Sequence, residues 1–161
     1  MSPDDLRAVM VRDLRALARE VSAYPSDAHL WQSLPGITNS GGSLALHLAG
    51  NIRHFFGTVL GGSDYVRDRE REFNVRGITR AEIVAEVEIA ISEAARVIPS
   101  LTSATLAAPF PVEFAGRRAP TARVLEHLCS HLAYHLGQID YHRRIVAPGS
   151  GTVGTMSVTE L

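Results

Sequence analysis

The chain contains no lysine, and all 16 of its basic residues are arginine. This absence excludes a Schiff-base lysine and a P-loop, because both chemistries need an ammonium group. Cysteine is almost missing as well, with Cys129 alone in 161 residues. No intrachain disulfide can form, and a cysteine-rich zinc module is excluded. The net charge is only −1. Phosphate binding needs concentrated positive charge, so no nucleic-acid partner is expected. No apolar run reaches the roughly 18 residues of a membrane-spanning helix, so no membrane partner is expected. The N-terminal stretch MSPDDLRAVMVRDL lacks a basic region followed by an apolar one. No signal peptide is therefore expected, and the expected location is cytoplasmic.

What is present is 45% apolar and 20% charged. That balance fits one globular domain over residues 1–161 with one core. Seven histidines stand out against the missing lysine and scarce cysteine. Imidazole is thus the versatile chemical group of this chain.

Four amphipathic segments can be read from apolar spacing. The first runs over about 3–22, with Ser2 as N-cap, Pro3 at the first position, and a stripe of Leu6, Val9, Met10, Leu14, Leu17 and Val21. The second covers about 43–60, with Leu44, Leu48, Ile52, Phe55 and Val59 on one face, and the Gly61-Gly62 pair ends it. The third begins at a capping box, Thr79 with Glu82, and Pro99 stops it. The fourth runs over about 121–146, with Thr121 as N-cap. No strand series interrupts these segments, so the expected fold is an all-α four-helix bundle. The first and third connections, about 20 residues each, exceed the simplest up-down linkers and predict crossovers or caps over one end. A short extended stretch over 112–114 is an option within the third. The charged run Arg67–Glu72 alternates in sign and reads as a solvated, self-paired surface. Trp31 reads as a plug at the core edge, with a pocket wall as the alternative. The tail over about 149–161 is rich in Gly, Ser and Thr, and it is either mobile or docked on the bundle.

On a helical wheel of the fourth segment, with His127 at 0°, the apolar face centres near 100°. His131 falls at about 40° and His135 at about 80°, so both point at the core. Buried imidazoles are costly unless partnered, and an i, i+4 pair can hold one metal ion from a single helix. A third ligand should then come from another helix. His47 lies on the flank of the second stripe, with Asn51 one turn away as a supporting group, and His54 is the runner-up. His127 sits at the edge of the fourth stripe. His142 lies about 10 Å further along the helix than His135, too far to share the ion easily. His29 is assigned no role. The weaker alternative is that the histidine stripe only makes core hydrogen bonds. Cys129 turns away from the histidines and reads as a packing thiol. Glu86 and Glu93 read as a surface row. The Glu-x-x-His pairs of di-iron bundles are missing, which argues against a two-metal carboxylate site.

Three segments carry a family resemblance: Leu44–Asn51 (LALHLAGN), Arg67–Phe73 (RDREREF) and, most specifically, His131–Ile139 (HLAYHLGQI). Together they make the chain resemble the DinB-like (damage-inducible, YfiT-like) superfamily over about residues 31–144. The resemblance implies a four-helix bundle, often dimeric. It also implies a divalent metal, nickel or zinc, held by one histidine of the second helix and two of the fourth: here His47, His131 and His135. Relatives include thiol S-transferases that use low-molecular-weight thiols such as bacillithiol or mycothiol, and a mycothiol-dependent maleylpyruvate isomerase. The expected function is a metal-dependent enzyme that activates a water or a low-molecular-weight thiol against a small-molecule substrate. Asn51, Tyr134 and Gln138 are expected around the site, and a homodimer is expected. The alternative from another class is a stress-related binding protein whose metal is structural or absent.

Overall fold

A computed structural model describes residues 2–113, 116–154 and 157–160. Its long helices are α1 (Pro3–Ser22), α3 (Gly41–Ile52), α5 (Arg80–Val97) and α7 (Thr121–Val146). Short helices α2 (Asp27–Leu30), α4 (Arg69–Asn74) and α6 (Ser103–Ala107) lie in the connections. No strand occurs among the described residues, only isolated bridges such as Pro109 with Pro120. Val112 and Glu113 form no extended pair, and Phe114 lies outside the described residues.

The two capping boxes start their helices as the side chains dictate. Ser2 Oγ accepts from Asp5 N, and Asp5 Oδ2 accepts from Ser2 N at 2.9 Å. Thr79 Oγ1 accepts from Glu82 N, and Glu82 Oε2 accepts from Thr79 N at 2.9 Å. Each box satisfies two amide groups that the helix itself leaves open. Thr121 does not cap α7. Pro120 holds the cap position without a side-chain bond, and the Thr121 hydroxyl donates to Ala108 O at 3.0 Å instead.

The four long helices form a ring in which α1 packs on α5, α5 on α3, α3 on α7 and α7 on α1. Consecutive α1 and α3 lie across a diagonal, and so do α5 and α7. The first and third connections are long because each must cross that diagonal. Leu6, Met10, Leu14, Leu17 and Val21 of α1 meet Ile83, Val87, Ala90 and Ala94 of α5 in the core. Each such fully buried large apolar side chain contributes about 1.5–3 kcal/mol. Trp31 packs at the edge of this core, and its indole N–H donates to Ile78 O at 2.8 Å.

The second segment departs from the regular helix expected over 43–60. It starts two residues earlier, where Ser40 Oγ accepts from Ser43 N at 3.2 Å. After Ile52 it widens into a π-helical run, Arg53–Leu60. That winding changes which side chains share a face. At its start Arg53 reaches α5, where the guanidinium meets the carboxylates of Glu86 and Glu93, and it lies over the Tyr65 ring at 3.9 Å. Glu86 and Glu93 are therefore not a solvated surface row. They pair with Arg53.

The described part of the tail docks. Arg143 donates to Ser150 Oγ at 2.7 Å and Gly151 O at 3.1 Å, and Arg19 donates to Val153 O at 3.2 Å.

His142 is buried in α7. Its Nε2–H donates to Gln32 O at 2.9 Å, and its Nδ1 accepts from the Tyr24 hydroxyl at 2.8 Å. Burial holds its pKa below the ordinary histidine range. The unfolded chain therefore takes up this proton first as pH falls. The stabilising contribution is complete above about pH 6.5 and is lost as pH falls toward the lower folded value. In thermal melts with chelator, wild type is expected to lose more stability between pH 7.5 and 5 than His142→Gln. Equal losses in the two proteins would contradict this.

Candidate metal centre

α3 and α7 pack side by side, and this contact brings the three histidines together. His47, His131 and His135 each offer a ring nitrogen, and these nitrogens lie within 4.8 Å of one another. His47 is buried, and His131 and His135 are half-buried. His47 Nε2 and His131 Nε2 stand 3.2 Å apart. Two ligands of a tetrahedral ion with about 2.1 Å bonds would stand about 3.4 Å apart. The donor set thus fits a divalent ion.

The supporting hydrogen bonds set the tautomers. His47 Nδ1 lies 2.9 Å from Glu72 Oε2, which can only accept, and 3.1 Å from Arg67 Nη2, which can only donate; Arg67 Nη2 already donates to Glu72 at 2.9 Å, so Nδ1–H donates to the carboxylate. His135 Nδ1–H donates to Gln138 Oε1 at 2.6 Å. Both rings therefore keep the lone pair on Nε2, and that of His47 faces His131 Nε2 within the group. This is the arrangement in which carboxylates and amides orient metal-binding imidazoles. The remaining ring, His131, has its buried Nδ1 without a hydrogen-bond partner among the described residues.

Burial, then the neighbouring imidazoles of His135, His47 and His127, push His131 down to about 4. Burial also lowers His135, against the opposing effect of its bond to Gln138. At neutral pH these two rings are uncharged and free to donate a lone pair. Burial alone would raise the Glu72 carboxyl, but hydrogen bonds from His47 and Arg67 hold it below the usual range. Glu72 is therefore an anion.

Glu72 and Arg67 belong to this site, although they fall in a run that reads as solvated surface. Asp68 Oδ1 accepts from Arg71 N at 2.8 Å and starts α4, which places Glu72 inward. Only 5% of Glu72 is exposed. Arg67 turns back and grips its carboxylate with Nε at 2.7 Å and Nη2 at 2.9 Å. Gly50 makes the approach possible, since any Cβ there would overlap the Glu72 carboxylate. Phe73 closes the same side, its ring 4.9 Å from that of His47. The sequence signal for this group was the self-pairing of the charged run, which is real for Arg67 and Glu72 but takes place inside the protein.

The other expected residues fall as follows. His54 lies in the π-helical run against Phe55, outside the group of three. His127 is exposed and stacks 6.0 Å from His131. Tyr134 is exposed, with its ring edge-on to His135 at 5.2 Å. Asn51 is buried, and its Oδ1 has no hydrogen-bond partner among the described residues. Cys129 packs on the core, and burial pushes its thiol up to about 11. It carries no thiolate at neutral pH.

A cavity of about 340 Å³ opens between residues 34–39, Leu44 of α3, and Gln138, Tyr141 and Ile145 of α7. Gln138 is thus both part of its wall and the residue that orients His135. No helix among the described residues is long and apolar enough to cross a membrane.

Among curated proteins no significant match is found. The family model described as mycothiol-S-transferase matches residues 5–148, which includes every residue of the histidine group and its supports. The bundle, the three grouped histidines and this match agree, and the chain belongs to the mycothiol-S-transferase family of DinB/YfiT-like proteins.

Proposed function

We propose that this protein is a divalent-metal-dependent thiol S-transferase in which His47, His131 and His135 hold the ion. The carrying observation is that the ring nitrogens of His47, His131 and His135 lie within 4.8 Å of one another, with His47 held by Glu72 and His135 by Gln138 through Nδ1. A divalent cation there supplies Lewis acidity, which lowers the pKa of a thiol or water brought to it. Neutral imidazoles leave the full charge of the ion available for that purpose. Zinc and nickel both suit three nitrogen donors.

The chain's own groups do the positioning. Glu72, clamped by Arg67, keeps the proton of His47 on Nδ1. Gln138 does the same for His135. Phe73 and the α4 segment cover the His47 side. The high pKa of Cys129 leaves the nucleophilic sulfur to a low-molecular-weight thiol from outside. The match to the mycothiol-S-transferase family model favours this enzyme reading over a closed structural metal site. The cytoplasmic location and the homodimer belong to the same proposal. The exposed Tyr134, Tyr141 and Ile145, spaced seven and four apart along α7, support the latter.

The test incubates purified protein with nickel or zinc, a low-molecular-weight thiol and an electrophilic acceptor. Thiol consumption is expected with metal and is expected to stop with chelator. Consumption that is absent, or equal with and without metal, would overturn the proposal. Glu72→Ala is expected to weaken metal affinity by about 10–100-fold, the usual effect of losing the group that orients a ligand. Competition with a chromophoric chelator measures it, and unchanged affinity would show that Glu72 does not orient His47.

A further inference from the structure

We infer that Asn51 is the positioning residue of His131, its Oδ1 accepting from His131 Nδ1–H when that imidazole offers Nε2 to a cation. The inference rests on the metal-centre reading above and deepens it.

Two buried atoms carry it. Asn51 Oδ1 and His131 Nδ1 are both buried, and neither has a hydrogen-bond partner among the described residues. Only 6% of Asn51 is exposed. Buried polar atoms are nearly always paired, so each of these calls for a partner. The two are complementary. A carboxamide oxygen can only accept, and a neutral imidazole that keeps its lone pair on Nε2 carries its proton on Nδ1.

The packing of α3 on α7 sets them against each other. Gly41 at the start of α3 lies against the far end of α7, where a Cβ on it would stand 3.3 Å from His142 Nδ1. Further along α3, the His47 ring lies 5.1 Å from that of His131 and 5.5 Å from that of His135. The two helices are therefore antiparallel, and a turn forward on α3 is a turn back on α7. Asn51 is one turn beyond His47, about 6 Å along the axis. It shares the face of His47, because residues four apart on a helix are neighbours. It thus falls opposite the turn of α7 that runs from His127 to His131. The other polar side chains of that turn are accounted for. His127 is exposed, Ser130 is exposed and donates to Glu126 O at 3.1 Å, and Cys129 packs on the core. His131 is the buried nitrogen donor that remains.

The other two histidines show what the pairing does. Glu72 accepts from His47 Nδ1–H at 2.9 Å, and Gln138 accepts from His135 Nδ1–H at 2.6 Å. Asn51 completes the set, with one acceptor behind each imidazole, the arrangement that fixes ring orientation and tautomer at metal sites. A cation on Nε2 holds the proton of His131 on Nδ1 and so supplies the donor that Asn51 lacks. The terminal torsion of asparagine is broad, so Oδ1 can swing to that donor without strain. The carboxamide is neutral and orients the ring without adding charge.

The test uses the full chain, isotope-labelled and loaded with zinc, and NMR of the imidazole and carboxamide groups. In wild type a dipolar cross-peak between the Asn51 carboxamide protons and His131 Nδ1–H is expected, and its absence would overturn the assignment. Asn51→Leu keeps the volume and removes the oxygen. It is expected to move the His131 Nδ1–H signal upfield while those of His47 and His135 stay in place. It is also expected to weaken zinc binding about 10–100-fold in competition with a chromophoric chelator. Asn51→Asp restores an acceptor oxygen and is expected to recover both signal and affinity. In chelator, Asn51→Leu is expected to melt at or above the wild-type temperature, because it removes an unpaired buried acceptor. A variant that melts lower in chelator yet binds zinc as wild type does would make Asn51 merely structural and overturn the inference. Zinc bound by wild type, with affinity and signals unchanged in Asn51→Leu, counts against the inference alone. A wild-type chain that takes up no zinc counts against the metal centre itself, and the inference falls with it. Thiol transfer is read at no point, so its failure counts against the proposed function alone.

Discussion

Arg143→Ala is expected to destabilise the protein by about 3–5 kcal/mol, the usual cost of removing one partner of a buried ion pair. Arg143 and Glu20 both have side chains with 0% exposure, and Arg143 Nε meets Glu20 Oε2 at 2.5 Å. Glu20 is already strained electrostatically. Burial raises its carboxyl above the ordinary value despite the hydrogen bond and charge of Arg143. Without the guanidinium, Glu20 must be buried alone or take a proton. The tail loses its anchor in the same step, because Arg143 also donates to Ser150 and Gly151. For a chain of this size the loss corresponds to roughly 6–20 °C in Tm. The double variant Glu20→Leu with Arg143→Met removes both charges and is expected to recover most of that loss. Thermal and urea melts of wild type, Glu20→Leu, Arg143→Met and the double variant form the cycle, with Arg143→Ala measured beside them. An Arg143→Ala protein within about 1 kcal/mol of wild type would contradict a buried, mutually dependent pair.

His131→Leu is expected to separate stability from metal binding. His131 sits among Leu128, Leu132 and the other two imidazoles, and its Nδ1 is buried without a partner. That unpartnered nitrogen costs free energy, and a cation held through Nε2 would offset the cost only when it is bound. Leucine of similar size removes the unpaired nitrogen. In chelator, the variant is expected to melt at or above the wild-type temperature. With zinc or nickel at about 100 times its Kd, wild type is expected to gain about 2.7 kcal/mol and the variant nothing. A variant that still gains stability from metal would place the ion elsewhere. A variant that is strongly destabilised in chelator would mean that His131 serves the core and not an ion.

The histidine group was legible because helical periodicity is local. The i, i+4 pair His131 and His135 shares a face whatever surrounds the helix, and His47 lies on a predictable flank of α3. The diagonal connections were legible from their length alone. Glu72 was not legible. Its burial depends on α4 docking against α3 at Gly50, and nothing within the run Arg67–Glu72 distinguishes an inward carboxylate from a solvated one. The π-helical run was hidden for a similar reason. Nothing within Arg53–Leu60 marks i to i+5 winding, and the carboxylates that Arg53 meets on α5 are distant in sequence. Glu20 and Arg143 stand 123 positions apart, and only the packing of α1 on α7 reveals that they are partners.

The most direct test of the central claim is the metal content of the purified protein after incubation with nickel and zinc and removal of free ions. One divalent ion per wild-type chain is predicted. Each of His47→Ala, His131→Ala and His135→Ala should fall well below that while remaining helical. A folded wild-type protein that retains no stoichiometric divalent ion would contradict it.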